Sequence, residues 1–181
     1  MKKKCAVCLV LFLFVLSGLG YYLYSEEQNS EKILTDEVVI KEFGDIWYVH
    51  MDHNGPYTMI AGKADVLREE IKKQGIKTTG PLFITFYNPP SIYKGDELKW
   101  APSYPIDEET EVKPPLQKSK IPKNLSITLI HTGPQDKIRE AFNKVQTYIK
   151  ENQYEKIWPA YEIYHDNPKG IEVIHPVKRK E

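Results

Sequence analysis

The chain carries HNGP at residues 53–56 and, 78 positions later (131 minus 53), HTGP at residues 131–134. The first turn leads to GPLFITFYN at residues 80–88, and the second leads to WPAYEIYHD at residues 158–166 in the same register. Each copy has an apolar strand-like run, a Gly-Pro turn, an amphipathic helical pattern and an aromatic strand-like run. A pattern this long at constant spacing indicates a duplicated supersecondary unit, so we expect two equivalent halves.

One position within the aromatic runs differs in chemistry between the copies. Ile84 occupies it in the first copy and Glu162 in the second, and duplication of a core does not supply a carboxylate there. Alternation along a strand places the glutamate on one face with Trp158, Ala160 and Tyr164. A carboxylate among π-faces suits a lipophilic cation or a proton-transfer step. The alternative is a strand glutamate that faces water.

The composition fits one folded domain. The chain has 181 residues, of which 41% are apolar and 12% aromatic. About 150 residues remain after the N-terminal apolar run, which is the usual size of one domain. Basic and acidic side chains number 25 each, or 22 against 25 without the three lysines at residues 2–4. The folded part therefore offers no basic field, and we expect no nucleic-acid partner.

The N-terminal run at residues 5–24 contains no charged side chain. As a helix, a run of this length spans roughly 30 Å, enough to cross the hydrocarbon core of a bilayer. Tyr21, Tyr22 and Tyr24 fit an aromatic belt at the membrane interface. We therefore expect residues 1–24 to form a transmembrane anchor, and a cleaved signal peptide is the alternative.

Charges on either side of this run predict its orientation. Lysines fill residues 2–4, whereas Glu26, Glu27 and Glu31 follow the run. The positive-inside rule then places the N-terminus in the cytosol and the domain on the non-cytosolic side of a single-pass membrane protein.

The remaining sequence divides into a tether and a domain. Residues 25–36 are polar and read as the tether, and residues 37–177 read as the domain, with repeat halves at about 37–107 and 108–177. Both cysteines, Cys5 and Cys8, lie within the predicted anchor. The domain therefore has no cysteine with which to form a disulfide.

Helical periodicity recurs in both copies. Apolar residues spaced for one buried stripe follow each Gly-Pro turn: Ile60, Ala64, Leu67 and Ile71 in the first copy, and Ile138, Phe142, Val145 and Ile149 in the second. Gly75 marks the end of the first helix, and proline at each helix start costs little because its missing N–H would have been unpaired.

The strand-like runs complete each half. Residues 36–43 and 47–52 predict a hairpin turning at Gly44-Asp45. Further strands are expected at residues 82–87, 100–106, 160–164 and 171–177. The fold class is therefore α+β: a tandem duplication of a strand-helix-strand-strand unit, with an antiparallel sheet, two helices on one face, an open opposite face and a central ligand cleft. Residues 108–124, rich in Lys and Pro, are expected to be a solvated connector.

The candidate ligand-binding residues are Glu162, Tyr164, Trp158, Tyr57 and Trp100. Other aromatic residues have equal claims to the cleft and to the core: Trp47, Tyr48, Tyr87 and Tyr93. The histidines at positions 50, 53 and 131 raise a metal site, but their spacing completes no tetrahedral set. A histidine before Gly-Pro is explained as a turn residue at a helix start. The domain has no phosphate loop, Gly-x-Ser-x-Gly elbow or Cys nucleophile, so no cofactor is expected.

The turns and strands together resemble a known family. His-x-Gly-Pro at each helix start, PAYEIY at residues 159–164, the Asp-Asn-Pro turn at 166–168 and the closing apolar strand are similar to the GyrI-like domain, the effector-binding domain of AraC- and MerR-type regulators. The resemblance covers residues 37–177, and its most specific element is YEIY at residues 161–164. It implies two strand-helix-strand-strand units around a cleft in which the glutamate matching Glu162 meets lipophilic, often cationic ligands.

The resemblance also frames the functional alternatives. Some free-standing members look like hydrolases of cyclopropane-bearing toxins that use this glutamate, and another member lies behind an N-terminal membrane anchor. The dozen residues between anchor and domain leave no room for a helix-turn-helix module. We therefore expect a membrane-tethered domain that binds lipophilic, cationic or electrophilic small molecules. A hydrolase using Glu162 as catalytic residue and a protein-interaction adaptor are the alternatives, and a binding domain is favoured over an enzyme.

Overall fold

The computed structural model describes residues 37–166 and 169–180. This part of the chain forms an antiparallel sheet with two α-helices. The helices are α1 (Ile60–Lys73) and α2 (Ile138–Glu151). The strands are β1 (Val39–Phe43), β2 (Ile46–His50), β3 (His53–Asn54), β4 (Phe83–Phe86), β5 (Lys99–Pro105), β6 (Gln117–Ile121), β7 (Asn124–His131), β8 (Tyr154–Lys156), β9 (Ala160–Asp166) and β10 (Lys169–Arg179).

The strand order confirms the duplication. It runs β1-β7-β10-β9-β4-β5-β2-β6, with β3 added to β5 and β8 added to β10. The central pair joins the halves, because β4 of the first copy pairs with β9 of the second. Corresponding pairs on either side keep the same register: Tyr48 faces Pro105, and the equivalent Ser126 faces Pro176. A pseudo-twofold axis therefore relates the halves through the middle of the sheet.

The predicted hairpin between residues 36–43 and 47–52 is wrong. β1 pairs with β7 of the second half, and β6, the repeat equivalent of β1, pairs with β2 of the first half. The halves thus exchange their edge strands, and the two crossovers touch where Asp45 N–H donates to Ile121 O at 2.8 Å. A Cβ on Gly44 would lie 2.2 Å from Pro122 O, and Gly44 has φ +123°. The crossing therefore requires glycine.

Both predicted helices are present, and they bury most of the predicted stripes, with Ile60, Ile138 and Phe142 partly exposed. Ala64, Leu67 and Ile71 are buried on α1, which packs on β2 and β5. On α2 the buried residues are Ala141, Val145 and Ile149, with Phe142 packed partly exposed against the same cluster over β7 and β10. Burying one such Leu or Ile side chain stabilises the fold by roughly 1.5–3 kcal/mol. Both helices lie on one face of the sheet.

The prediction that the opposite face is open is wrong. That face, which we call the concave face, carries a second buried cluster: Tyr48, Phe83, Ile121, Tyr161 and Ile174. Only two residues separate the end of β1 at Phe43 from the start of β2 at Ile46, yet these strands belong to opposite ends of the sheet order. The sheet must therefore curl until its ends approach, and the curl encloses this second core.

The expected solvated connector at residues 108–124 contains strand β6. Its apolar anchors are Leu116, which joins the cluster under α1, and Ile121, which joins the concave cluster; both are buried. The lysine ammonium groups of Lys118 and Lys120 lie 4.9 and 5.3 Å from the centre of the Trp47 ring, a cation–π arrangement. Lysine-rich composition therefore concealed a strand whose charges lie over an aromatic ring.

The predicted anchor at residues 1–24 and the tether at 25–36 lie outside the described residues, as do Asn167 and Pro168 of the predicted turn. Among the residues that the structure describes, neither helix has the length and apolar character needed to cross a membrane.

Candidate functional site

Glu162 lies in the middle of the sheet, on the face that carries both helices. Its strand, β9, pairs it with Ile84 on one side and Val173 on the other. Because α1 packs on β2 and β5 while α2 packs on β7 and β10, the two central strands lie between the helices. The Glu162 side chain is buried, with 8% of the residue exposed.

The carboxylate has one hydrogen-bond donor. The Tyr164 hydroxyl donates to Glu162 Oε2 at 2.8 Å. Burial raises the pKa of Glu162 to about 6, and the tyrosine hydrogen bond opposes this rise. Throughout residues 37–166 and 169–180, no Lys or Arg side chain pairs with it. The site therefore places one ionisable carboxylate, without a compensating cation, in an apolar setting.

Aromatic and aliphatic side chains surround this carboxylate. We call them the central cluster: buried Ile84, Phe86, Leu98 and Trp100, with partly exposed Tyr57, Ile60, Leu82, Trp158 and Tyr164 packed against them. The Tyr57 ring meets Phe86 edge-on, with centroids 5.0 Å apart. The structure thus brings all five sequence-predicted site residues together in and around this cluster.

Tyr57 contributes an unsatisfied polar atom. Its hydroxyl is buried and has no hydrogen-bond partner among the described residues. Burial, and then the charge of Glu162, raises the pKa of Tyr57 to about 12. A buried donor without a partner costs about 1–3 kcal/mol. The Tyr57 hydroxyl is therefore a group that a bound ligand could satisfy.

Trp100 has a supporting role. Its ring is fully buried, and its indole N–H donates to Gly55 O at 2.8 Å, which ties β5 to the first Gly-Pro turn. His53 lies 5.3 Å from the Trp100 ring, and its buried Nε2 has no partner within the described residues. In the second turn, His131 Nε2 lies 2.9 Å from Pro134 O. The turn role predicted for the histidines is thus seen directly at His131.

Sequence reasoning missed His175. This residue is 1% exposed on β10, and its ring meets Trp158 edge-on at 5.1 Å. Nδ1 lies 3.2 Å from Pro176 O; because a carbonyl only accepts, Nδ1 carries the proton. Nε2 has no partner in the described part of the chain, and burial lowers the His175 pKa to about 4. The sequence does contain a signal for it: Val173, His175 and Val177 fall on the same face of a strand, so His175 is a polar residue among core residues.

The other aromatic candidates lie elsewhere. Trp47 packs in the cluster under α1, Tyr48 is buried on the concave face, and Tyr93 is 40% exposed on a loop. Tyr87 donates to Asp52 at 3.0 Å, away from Glu162. No group of three His, Cys, Asp or Glu side chains placed to hold a metal occurs in the described residues.

A shallow polar depression exists at the far end of β10. It is lined by Glu151, Asn152, Gln153, Tyr154, Arg179 and Lys180. Its polar lining does not suit a lipophilic ligand, so the chemistry of the chain favours the central cluster. There, a buried carboxylate with a pKa near neutrality and adjacent π-faces can hold a cation or transfer a proton.

Comparison with known proteins identifies a family and several structures that are similar to this chain. A family model described as the GyrI-like small molecule binding domain matches residues 36–178. A search of curated protein sequences found no match. The crystal structure of the EcmrR C-terminal domain is similar, with 19% identity, a TM-score of 0.68, and coverage of 80% of this chain and 98% of that one. EcmrR also aligns in a complex with DNA, with 18% identity, a TM-score of 0.70, and coverage of 99% and 74%.

Two further structures share the fold. SAV2435 bound to tetraphenylphosphonium has 16% identity and a TM-score of 0.58, over 78% of this chain and 94% of that one. A structure described as a hydrolase from Listeria innocua has 10% identity and a TM-score of 0.56, over 86% and 98%. At these identities the similarity concerns the fold.

Proposed function

This chain belongs to the GyrI-like small-molecule-binding family, and we propose that its domain binds lipophilic cations at Glu162. The observation that carries the proposal is the central carboxylate, which is buried, has a raised pKa and lacks a cationic partner among the described residues. A bound cation would supply the missing charge, and the surrounding rings would replace its water shell with π-faces.

The rest of the cluster supports the same ligand class. Tyr57, Trp158 and Tyr164 are partly exposed and pack against buried apolar side chains, so they offer aromatic faces beside the carboxylate. Lipophilic cations combine apolar area with a delocalised charge and match such a surface. SAV2435, which shares the fold, is bound to a cation of this kind, tetraphenylphosphonium.

A ligand screen tests the proposal. Full-length protein would be titrated with tetraphenylphosphonium and with triphenylphosphine oxide, a neutral compound carrying the same phenyl groups. We expect the cation to bind more tightly and to raise the melting temperature; a ligand at 100 times its dissociation constant stabilises a protein by about 2.7 kcal/mol. Equal or absent binding of both compounds would contradict the assignment of a cation site.

A hydrolase is the second candidate function. The observation that favours it is the pKa of Glu162, which burial raises to about 6, because a catalytic acid or base works best with a pKa near the working pH. In a hydrolase of lipophilic electrophiles, Glu162 would act on the reacting atom. Turnover of an electrophile that is lost in Glu162→Gln would favour this function over reversible binding.

The membrane tether is a separate part of the proposal. It is supported by the uncharged run at residues 5–24 with lysines before it, and it would place the binding domain on the non-cytosolic side. Carbonate-washed membranes should retain the full-length protein, and protease added from the non-cytosolic side should digest the domain. Recovery of a mature soluble form starting near Tyr21 would show a cleaved signal instead.

A further inference from the structure

A hydrogen-bonded chain of Ser119, His50 and Asp52 lies on the concave face, separate from Glu162. His50 Nδ1 is 3.1 Å from Asp52 Oδ1, and His50 Nε2 is 2.9 Å from Ser119 Oγ. His50 ends β2, Asp52 follows it, and Ser119 lies on the neighbouring strand β6. Nucleophile, base and orienting carboxylate thus stand in the order that activates a serine.

The hydrogen bonds define the proton positions. An ionised carboxylate only accepts, so His50 Nδ1 carries the proton and donates it to Asp52. Nε2 is then an acceptor, and the Ser119 hydroxyl donates to it. Burial lowers the pKa of His50, and the negative charge of Asp52 opposes this effect. The Tyr87 hydroxyl donates to Asp52 Oδ1 at 3.0 Å and holds the carboxylate in place.

The hydrogen-bonded residues Ser119 and Asp52, at the two ends of the series, are accessible to solvent. His50 is 3% exposed, whereas the Asp52 side chain is 52% exposed and Ser119 is partly exposed. β6 is the last strand in the sheet order, so Ser119 lies at an edge. Tyr48 is the direct partner of Ser119 across the β2–β6 pair, and its hydroxyl can donate to negative charge that develops beside Ser119 Oγ.

The fold does not require this arrangement. At the place related by the pseudo-twofold axis, Lys41 of β1 takes the position of Ser119 and Thr128 of β7 takes that of His50, each 78 residues away. Lys41 pairs there with Glu172 at 2.6 Å, and Glu172 also contacts His165. The related place in the architecture thus holds an ion-pair network instead, and among the described residues the Ser-His-Asp arrangement occurs only where β6 pairs with β2.

We propose that Ser119 is the nucleophile of an acyl-transfer site for small activated carboxylic esters. Ser119 Oγ attacks the ester carbonyl carbon while its proton passes to His50 Nε2, and the charge develops on the carbonyl oxygen beside the Tyr48 hydroxyl. The C–O bond of the ester breaks, and the leaving alkoxide takes the proton from His50. A water molecule then attacks the acyl-serine with His50 as base, which releases the carboxylic acid and restores Ser119.

Diisopropyl fluorophosphate tests the nucleophile directly. Ser119 Oγ forms a bond to phosphorus, fluoride leaves, and the serine proton passes to His50. Full-length protein would be treated with the reagent, and adducts would be counted by intact mass and located by peptide mapping. We expect one adduct, on Ser119, and hydrolysis of p-nitrophenyl acetate that falls as the adduct forms.

The variants separate an activated serine from a structural one. Ser119→Ala should abolish labelling, whereas Ser91→Ala, which removes an exposed loop serine, should not change it. His50→Gln keeps a polar side chain but removes the base, so labelling should slow by at least about 100-fold. No adduct on folded wild-type protein, an adduct on a tyrosine, or unchanged labelling in His50→Gln would each overturn the proposal.

Discussion

Ile84 and Glu162 are equivalent positions of the two repeats, 78 residues apart, and they are also direct partners across the β4–β9 pair. The pseudo-twofold axis therefore crosses the sheet at this pair of side chains. A residue on the axis faces its own counterpart, so the two copies cannot both use it for the same purpose.

This geometry explains why the carboxylate occurs once. Directly opposed residues of an antiparallel pair have Cβ atoms about 4.5–5.5 Å apart. Two glutamates there would bring two buried negative charges together, which is unfavourable and would keep one of them protonated. With isoleucine opposite, Glu162 is a single buried charge at the centre of the molecule, and one bound cation can neutralise it.

The raised pKa of Glu162 predicts how stability depends on pH. The pKa of this carboxyl rises from 4.5 to about 6 on folding, which lowers the free energy of unfolding. The loss is absent below pH 4.5, grows between pH 4.5 and 6, and is complete above pH 6. That loss is about 2 kcal/mol. Because glutamine does not ionise, the free energy of unfolding of Glu162→Gln minus that of wild type should increase from pH 4.5 to 7. Urea denaturation of both proteins across this range measures it, and a pH-independent difference would argue against a perturbed carboxyl.

The affinity for a cation should depend on the same ionisation, but it should rise with pH where the stability of the protein falls. A lipophilic cation prefers the ionised carboxylate, so its affinity should rise with pH and level off above the Glu162 pKa of about 6. Between pH 5 and pH 7 we expect about a tenfold increase in affinity for the cation. His175 has a pKa of about 4 and stays neutral over this range. Calorimetric titrations with tetraphenylphosphonium provide the profile, and triphenylphosphine oxide should give a flat one.

Tyr164 should tune this profile. The Tyr164 hydroxyl donates to Glu162 Oε2, and this hydrogen bond favours the ionised carboxylate. Because Tyr164→Phe removes it, the pKa of Glu162 should rise further. A hydrogen bond to a charged group contributes about 1.5–3 kcal/mol, which moves the midpoint of cation binding up by about one to two pH units. Tyr93→Phe, on an exposed loop, is the control. A midpoint that stays in place in Tyr164→Phe would mean that this hydroxyl does not stabilise the carboxylate.

The crossing of the exchanged strands should not tolerate a side chain at Gly44. Alanine there would combine backbone strain at φ +123° with a Cβ placed 2.2 Å from Pro122 O, and we expect a loss of roughly 2–6 kcal/mol in the free energy of unfolding. Gly62 is the matched control because it lies in α1 with nothing within 4 Å of an added Cβ. Gly62→Ala should stabilise the protein by about 0.5–1 kcal/mol. Equal effects of the two substitutions in urea denaturation would contradict the tight crossing.

The repeat made much of the architecture predictable, because spacing and alternation are local properties. They identified α1, α2 and the aromatic strands β4 and β9, and they placed Trp158 and Tyr164 on the face of Glu162. Local patterns do not specify which strands pair, so the exchange of β1 and β6 was missed, and β6 was concealed by its lysines. The contact of Ser119 with His50 depends on that exchange and was unpredictable for the same reason.

The cluster around Glu162 was predictable in part. Alternation settled which neighbours share its strand face. Tyr57, from the first Gly-Pro turn, was also named as a candidate, but only the tertiary structure shows that the charge of Glu162 helps to raise its pKa. His175 was missed because a histidine in an apolar strand reads as one more core residue. Only the tertiary structure shows its unpartnered Nε2 and its contact with Trp158.

Calorimetry of Glu162→Gln with a lipophilic cation tests the central claim most directly. Glutamine is nearly isosteric, so the fold should be kept while the charge is removed. We predict that binding of tetraphenylphosphonium at pH 7.5 weakens by about 1.5–3 kcal/mol, that binding of triphenylphosphine oxide is little changed, and that Glu69→Gln on the exposed side of α1 binds both compounds as wild type does. Unchanged affinity of Glu162→Gln for the cation would contradict the account and show that Glu162 is not the cation-binding group.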